Sequence, residues 1–138
     1  VSAAPWYAAG LRFACRRCGA CCTGEPGNVW IDAAETRALA AALGLDPREF
    51  LALHARRVDG AWSLREEADG RCVLFEPGRG CRAYADRPVQ CRTWPFWARV
   101  VASRGAWRRE AAGCPGMDSG ELVDAAEIER RVRLRAGR

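Results

Sequence analysis

Cys15-Arg16-Arg17-Cys18-Gly19-Ala20-Cys21-Cys22 is the stretch on which the reading of this chain turns. Four thiols inside eight residues are too crowded for four separate unstrained bridges, but they can converge on one centre as thiolates. Cys72, Cys81, Cys91 and Cys114 follow at wider intervals, making eight cysteines in 138 residues. Such density belongs to a disulfide scaffold or to a metal site, and the crowding favours the metal. The segment from Val1 to Cys15 has no basic start followed by a long apolar stretch. It does not read as a secretory leader, so a reducing, cytoplasmic setting is expected.

The spacing says more. Cys15-x2-Cys18-x2-Cys21 matches the first three ligands of the bacterial ferredoxin run, in which a tight loop presents three sulfurs to one cubane. The fourth ligand of that run precedes a proline, and Cys114-Pro115 is a remote pair of that kind. A usual zinc ribbon needs two separate C-x2-C knuckles, whereas the two here overlap on Cys18. Ordinary ribbons are excluded; an irregular zinc site of four thiolates is not. Adjacent Cys21 and Cys22 direct their side chains differently, so one of them is expected to serve a second site or a second metal. The fourth ligand for the triple is expected from Cys91 or Cys114.

Working outward, 49% hydrophobic residues, 28% charged residues and six tryptophans describe a folded chain, and no apolar run approaches the roughly 20 residues of a membrane span. We expect one domain over residues 1–138, with a core over 11–117 and a C-terminal helix over about 124–136. The formal charge is +5 and all 22 basic residues are arginine. Thiolates that bind metal are deprotonated, so eight of them on two zinc ions leave about +1, and four on one cubane leave about +3. Much of the positive excess is then internal compensation, and a nucleic-acid partner is not expected from it. Arg16, Arg17, Arg82 and Arg92 stand beside cysteines, where they can offset a negative centre.

Local signals predict a small α+β protein. Val29 to Ile31 reads as extended, after a Gly/Pro loop over Thr23 to Asn28. Asp32 and Glu35 form a capping box, Leu39 and Leu43 an apolar i, i+4 pair, and Gly44 a stop; Asp46, Pro47 and Glu49 open a second helix to about His54. Asp59-Gly60, Asp69-Gly70 and Pro77-Gly78 punctuate short antiparallel strands between Arg57 and Tyr84. Asp86-Arg87-Pro88 starts a short helix that carries Cys91 and ends before Pro95. Phe96 to Ala102 and Ala106 to Ala111 are expected to form a hairpin about Ser103-Arg104-Gly105. Asp124 and Glu127 make a third capping box, with Val123 and Ile128 as its staple, so Ala125 to about Ala136 is helical. These elements are short, and folding is expected to depend on the metal.

The segments around the cysteines resemble a known family. Cys15-x2-Cys18-x2-Cys21-Cys22, Gly70-Arg71-Cys72-Val73-Leu74-Phe75, Gly80-Cys81-Arg82-Ala83-Tyr84, Arg87-Pro88-Val89-Gln90-Cys91-Arg92-Thr93-Trp94-Pro95-Phe96 and Cys114-Pro115-Gly116 are together similar to the YkgJ-type cysteine-cluster family. The resemblance runs from Cys15 to Gly116. It implies a zinc- or iron-chelating protein whose ligand candidates are Cys15, Cys18, Cys21, Cys22, Cys72, Cys81, Cys91 and Cys114. Arg87, Pro88, Arg92, Pro95 and Phe96 are the signature around Cys91, and Arg87 and Arg92 are the candidates to contact a bound group. The implied cofactor is an iron–sulfur cluster of the 4Fe-4S kind, or a zinc or iron ion.

Other residues carry less. His54, the one histidine, reads as a surface or packed side chain, and Trp6, Trp30, Trp62 and Trp107 as core. Trp94, Phe96 and Trp97 can exclude water from a cluster near Cys91. The radical enzymes that cleave S-adenosylmethionine use C-x3-C-x2-C, and Cys15-x2-Cys18-x3-Cys22 has the reverse order. Gly78-Arg79-Gly80 is a lone GxG in a turn. Three classes stay open: a metal or cluster carrier or accessory protein, a small redox or protein-modifying enzyme, and a zinc-stabilised interaction module able to touch nucleic acid.

Overall fold

A computed structural model of the chain describes residues 4–16 and 28–136. Within them the fold is α+β, with five α-helices and three small antiparallel sheets. The chain divides into two compact units, a central one over Gly19–Arg92 and a terminal one made of Val1–Cys18 with Thr93–Arg138.

In the central unit, β2 (Trp30–Ile31) leads into α1 (Ala33–Ala42) and α2 (Pro47–His54), followed by the hairpin β3 (Ala55–Val58) and β4 (Ala61–Leu64). Both predicted capping boxes are present. Asp32 accepts the Glu35 amide at 2.7 Å while Glu35 accepts the Asp32 amide at 3.0 Å, and Asp46 and Glu49 repeat the exchange. Gly44 ends α1 at φ 70°, a conformation that costs a residue with a Cβ. Asp59 and Gly60 both have positive φ, 49° and 82°, as the twist-matched two-residue turn of β3–β4 requires. The sheet order is β2-β4-β3. Its inner face and the helices enclose Ile31, Leu39, Phe50, Ala55, Leu64 and Leu74. Beyond it, Glu66 bridges Cys72, and β5 (Phe75–Glu76) pairs with β6 (Gly80–Cys81) around Pro77-Gly78-Arg79. A 3-10 turn, Tyr84–Asp86, precedes α3 (Val89–Thr93).

The terminal unit pairs β1 (Leu11–Phe13) with β7 (Met117–Val123), strands whose paired residues all lie more than a hundred positions apart. The separate core of this unit gathers Leu11, Phe96, Val100, Trp107, Met117 and Ile128. Helix α5 spans Ala125–Ala136, as its signals predict. Asp124 accepts the Glu127 amide at 2.8 Å, and Val123 and Ile128 join the same core. The Glu127 carboxylate is engaged by Arg130 and Arg131, each at 2.7 Å.

One expected element is different. The hairpin about Ser103-Arg104-Gly105 is instead a helix, α4 (Arg104–Ala111), with Ser103 as N-cap accepting the Ala106 amide at 3.0 Å. Ala106 to Ala111 contains alanine, arginine and glutamate and no β-branched residue, so helix propensity and the cap outweigh a turn reading of Ser-Arg-Gly. Residues 97–101 form turns, with the Val100 and Val101 amides donating to the Trp97 carbonyl.

Two outcomes follow from this packing. Phe50 is fully buried, so Phe50→Ala should lower unfolding free energy by about 3–5 kcal/mol in urea titration. Hydrogen bonds from Arg130 and then Arg131 hold the Glu127 carboxyl down to about 2 from 4.5. A carboxyl depressed in the folded state stabilises it above the ordinary carboxylate range and stops doing so as pH falls from about 4.5 towards 2. The unfolding midpoint should therefore fall across that window, and fall less in Glu127→Gln.

Candidate metal centre

Helix α3 carries Cys91 and is too short to hold its own position. Three side-chain contacts do so. Glu35, buried at 9% exposure, closes its capping box with one carboxylate oxygen and with the other accepts the Val89 amide at 2.6 Å. That amide opens α3, where backbone donors lack intrahelical partners and favour a carboxylate. Gln90 accepts the Trp30 amide at 3.3 Å and donates to the Asn28 carbonyl at 2.9 Å, tying α3 to the residues at β2. Cys91 is half-buried there; Cys72 and Cys81, also half-buried, stand at the ends of the two hairpins and pack on the central core.

The arginines beside these cysteines bond neutral acceptors. Arg92 Nε donates to the Arg87 carbonyl at 2.8 Å, Arg87 Nε donates to the Tyr84 carbonyl at 2.9 Å with its guanidinium 3.8 Å from the Tyr84 ring, and Arg82 donates to the Val73 carbonyl at 3.2 Å. In the terminal unit Arg16 donates to Ser119 Oγ at 3.2 Å. Among the described residues none of these four is in a salt bridge, so their charge is not cancelled by a carboxylate. Arg87 lies on Tyr84 and not in a surface pair with Asp86.

The terminal unit brings together residues that the sequence holds about a hundred positions apart. In the β1–β7 register Phe13 faces Met117, and the Ala14 amide donates to the Gly116 carbonyl at 3.1 Å. Cys15 follows Ala14 and Cys114 lies two residues before Gly116, so antiparallel pairing carries both to the same end of the sheet. The approach is close: a Cβ on Gly116 would collide with the Ala14 carbonyl, and one on Gly120 with the Ala14 methyl. Cys114 is half-buried, at the turn between α4 and β7, with its carbonyl accepting the Met117 amide.

Cys18, Cys21, Cys22 and Arg17 lie outside the described residues, as does most of the Thr23 to Asn28 loop. Among the described residues no group of three or more His, Cys, Asp or Glu side chains is placed to hold a metal. The described thiols are soft donors suited to a thiophilic metal or cluster, and a full ligand set would draw also on the cysteines of the N-terminal run. His54 is a packed side chain, its ring 5.4 Å from Phe50, with burial first and then Arg82 and Arg65 lowering its pKa. Trp94, Phe96 and Trp97 belong to the terminal core, as do Trp6 and Trp107, while Trp62 packs on the central core. Glu35, Gln90 and Gly116 are positioning residues that sequence reasoning used only as a cap, a motif letter and the end of a motif.

A family model, CxxCxxCC, described as a "putative zinc- or iron-chelating domain", matches residues 14–115. No solved structure matches the chain.

Because Ala14 and Gly116 touch backbone to backbone, Gly116→Ala should displace the chain entering the cysteine run. The expected outcome is a several-fold faster loss of bound metal to a chelator, with the α-helical circular dichroism retained.

Proposed function

This chain belongs to the CxxCxxCC family of zinc- or iron-chelating domains, and on that premise we propose that its clustered thiolates hold an iron–sulfur cluster. The observation that supports the reading is the β1–β7 pairing, whose Phe13–Met117 and Ala14–Gly116 contacts run the chain toward Cys15 on one strand and back toward the remote Cys114-Pro115 pair on the other. The ferredoxin-like run requires that relation between its first three ligands and its fourth. Cys72, Cys81 and Cys91 supply further thiolates from the central unit, enough for a second site with Cys21 or Cys22.

A four-thiolate cubane carries roughly −2, a charge that is costly to bury without compensation. Among the described residues Arg16, Arg82, Arg87 and Arg92 form no salt bridge, and their guanidiniums are suited to supply it, Arg16 beside Cys15 in the terminal unit and the other three beside Cys81 and Cys91 in the central one. Arg92, by bonding the Arg87 carbonyl, also holds the turn that presents Cys91. A bound cluster of this kind supplies one-electron transfer; the protein contributes the thiolates, the fixed donors and the exclusion of water. We assign the chain an accessory, carrier or redox role in a reducing, cytoplasmic setting. Among the described residues no helix is long and apolar enough to cross a membrane. A zinc-stabilised interaction module is the competing reading.

Anaerobic purification followed by iron, zinc and acid-labile sulfide analysis separates the two. Brown protein with iron and sulfide in similar amounts is expected; colourless protein with stoichiometric zinc and no sulfide would falsify the cluster. Cys15→Ser and Cys114→Ser should each lose cluster absorbance, and Arg92→Gln should retain the fold while releasing metal more readily to a chelator.

A further inference from the structure

The formal charge of +5 is not spread evenly. Twelve of the 22 arginines and six of the 17 acids fall in the terminal unit, a formal +6, while ten arginines and eleven acids leave the central unit at −1. Thiolates do not remove the excess, since only Cys15, Cys18 and Cys114 belong to the terminal unit. Among the described residues of this unit, Glu110 pairs with Arg99 at 2.9 Å and Glu127 with Arg130 and Arg131 at 2.7 Å, and no other arginine of the unit is in a salt bridge.

Of the terminal unit's described arginines outside these pairs, Arg133 lines a cavity of about 400 Å³, and Arg104 and Arg135 lie on segments that continue from its lining. Ala98, Val101 and Val132 give it an apolar floor, with Tyr7, Glu129 and Arg133 at its sides. Arg104 follows the floor segment, its guanidinium 5.0 Å from the Trp6 ring, and Trp6 in turn donates to the Val101 carbonyl. Arg135 lies one turn's reach along α5 from the cavity, 5.0 Å from the Trp97 ring, with its Nε buried and without a hydrogen-bond partner. Arg104, Arg133 and Arg135 form no salt bridge among the described residues. Guanidiniums held against indole rings keep their planar forks for bidentate anions.

We propose that this rim and cavity bind a single-stranded nucleic acid, with phosphates on Arg104, Arg133 and Arg135 and an unpaired base over the apolar floor. Against an acidic protein segment, the neighbouring indole rings are covered by arginines and do not stand free as the aromatic anchors such a contact favours. A phosphodiester backbone needs only fixed cations. A duplex offers no free base to the cavity. Net charge alone predicts no nucleic-acid partner because the arginines beside the cysteines offset thiolates, whereas these three arginines lie on α4 and α5.

The test is fluorescence anisotropy of the full chain, as purified with its metal, titrated into a labelled mixed-sequence strand of about 20 nucleotides at about 50 to 200 mM salt. Binding should weaken with a log–log salt slope of about −2, as three phosphate contacts on a single strand require. Arg104→Gln/Arg133→Gln/Arg135→Gln should bind about tenfold more weakly or worse and lose most of that slope. Arg133→Glu, a single exposed change, should show the same direction if the triple variant folds poorly. Arg71→Gln/Arg79→Gln, in the central unit, should leave affinity unchanged. No binding at the lowest salt, equal affinity for the duplex, equal competition by polyglutamate, or an unaltered Arg133→Glu would each overturn the proposal.

Discussion

The buried carboxylate of Glu35 does two jobs in the central unit. One oxygen closes the N-terminus of α1 and the other the N-terminus of α3, so the helix that carries Cys91 is set by a side chain 54 residues earlier. The elements of this unit are two to ten residues long, below the length at which helices or hairpins persist alone. Their positions must come from tertiary contacts, and a charge-assisted hydrogen bond at a helix start is among the stronger ones available. Gln90 adds a second staple on the same short helix, so Cys91 is placed by polar contacts from outside its own element.

The terminal unit solves a similar problem with backbone alone. Its two-stranded sheet joins the segment that enters the cysteine run to the segment that leaves the Cys114-Pro115 pair, and two glycines allow the strands to come together at Ala14. Ligands supplied by distant parts of a chain pay loop-closure entropy. A paired sheet can meet that cost before metal arrives, leaving the remaining thiols to be organised by ligation. The unit also concentrates aromatic rings under arginines, which gives it a core and a cationic surface from the same residues.

Much of this was legible from residues because the signals are local. Asp32 with Glu35, Asp46 with Pro47 and Glu49, Asp59-Gly60, and Asp124 ahead of Ala125 each act within four residues, and each formed the element expected of it. Ser103-Arg104-Gly105 is ambiguous as sequence, since a serine followed closely by glycine suits both a turn and a helix cap; the residues after it, with buried Trp107 on their inner face, decide for the helix. Strand β7 left no usable signal. Its sequence, Met117 to Val123, is irregular, contains Gly120 and Asp118 at positive φ, and becomes a strand only because β1 lies beside it.

By itself the sequence determined the chemistry: eight thiols, three of them at ferredoxin-like spacing, and the capped helices and turns between the later ones. Those follow from residue type and short-range geometry, which a linear chain records. Only the tertiary structure decided that the segments leading to Cys15 and Cys114 meet at one end of a sheet, that Glu35 reaches Val89, and that the surplus positive charge falls in the terminal unit. These depend on contacts between residues tens of positions apart. Periodicity carries no information about such pairings, since their energy resides in neither partner alone.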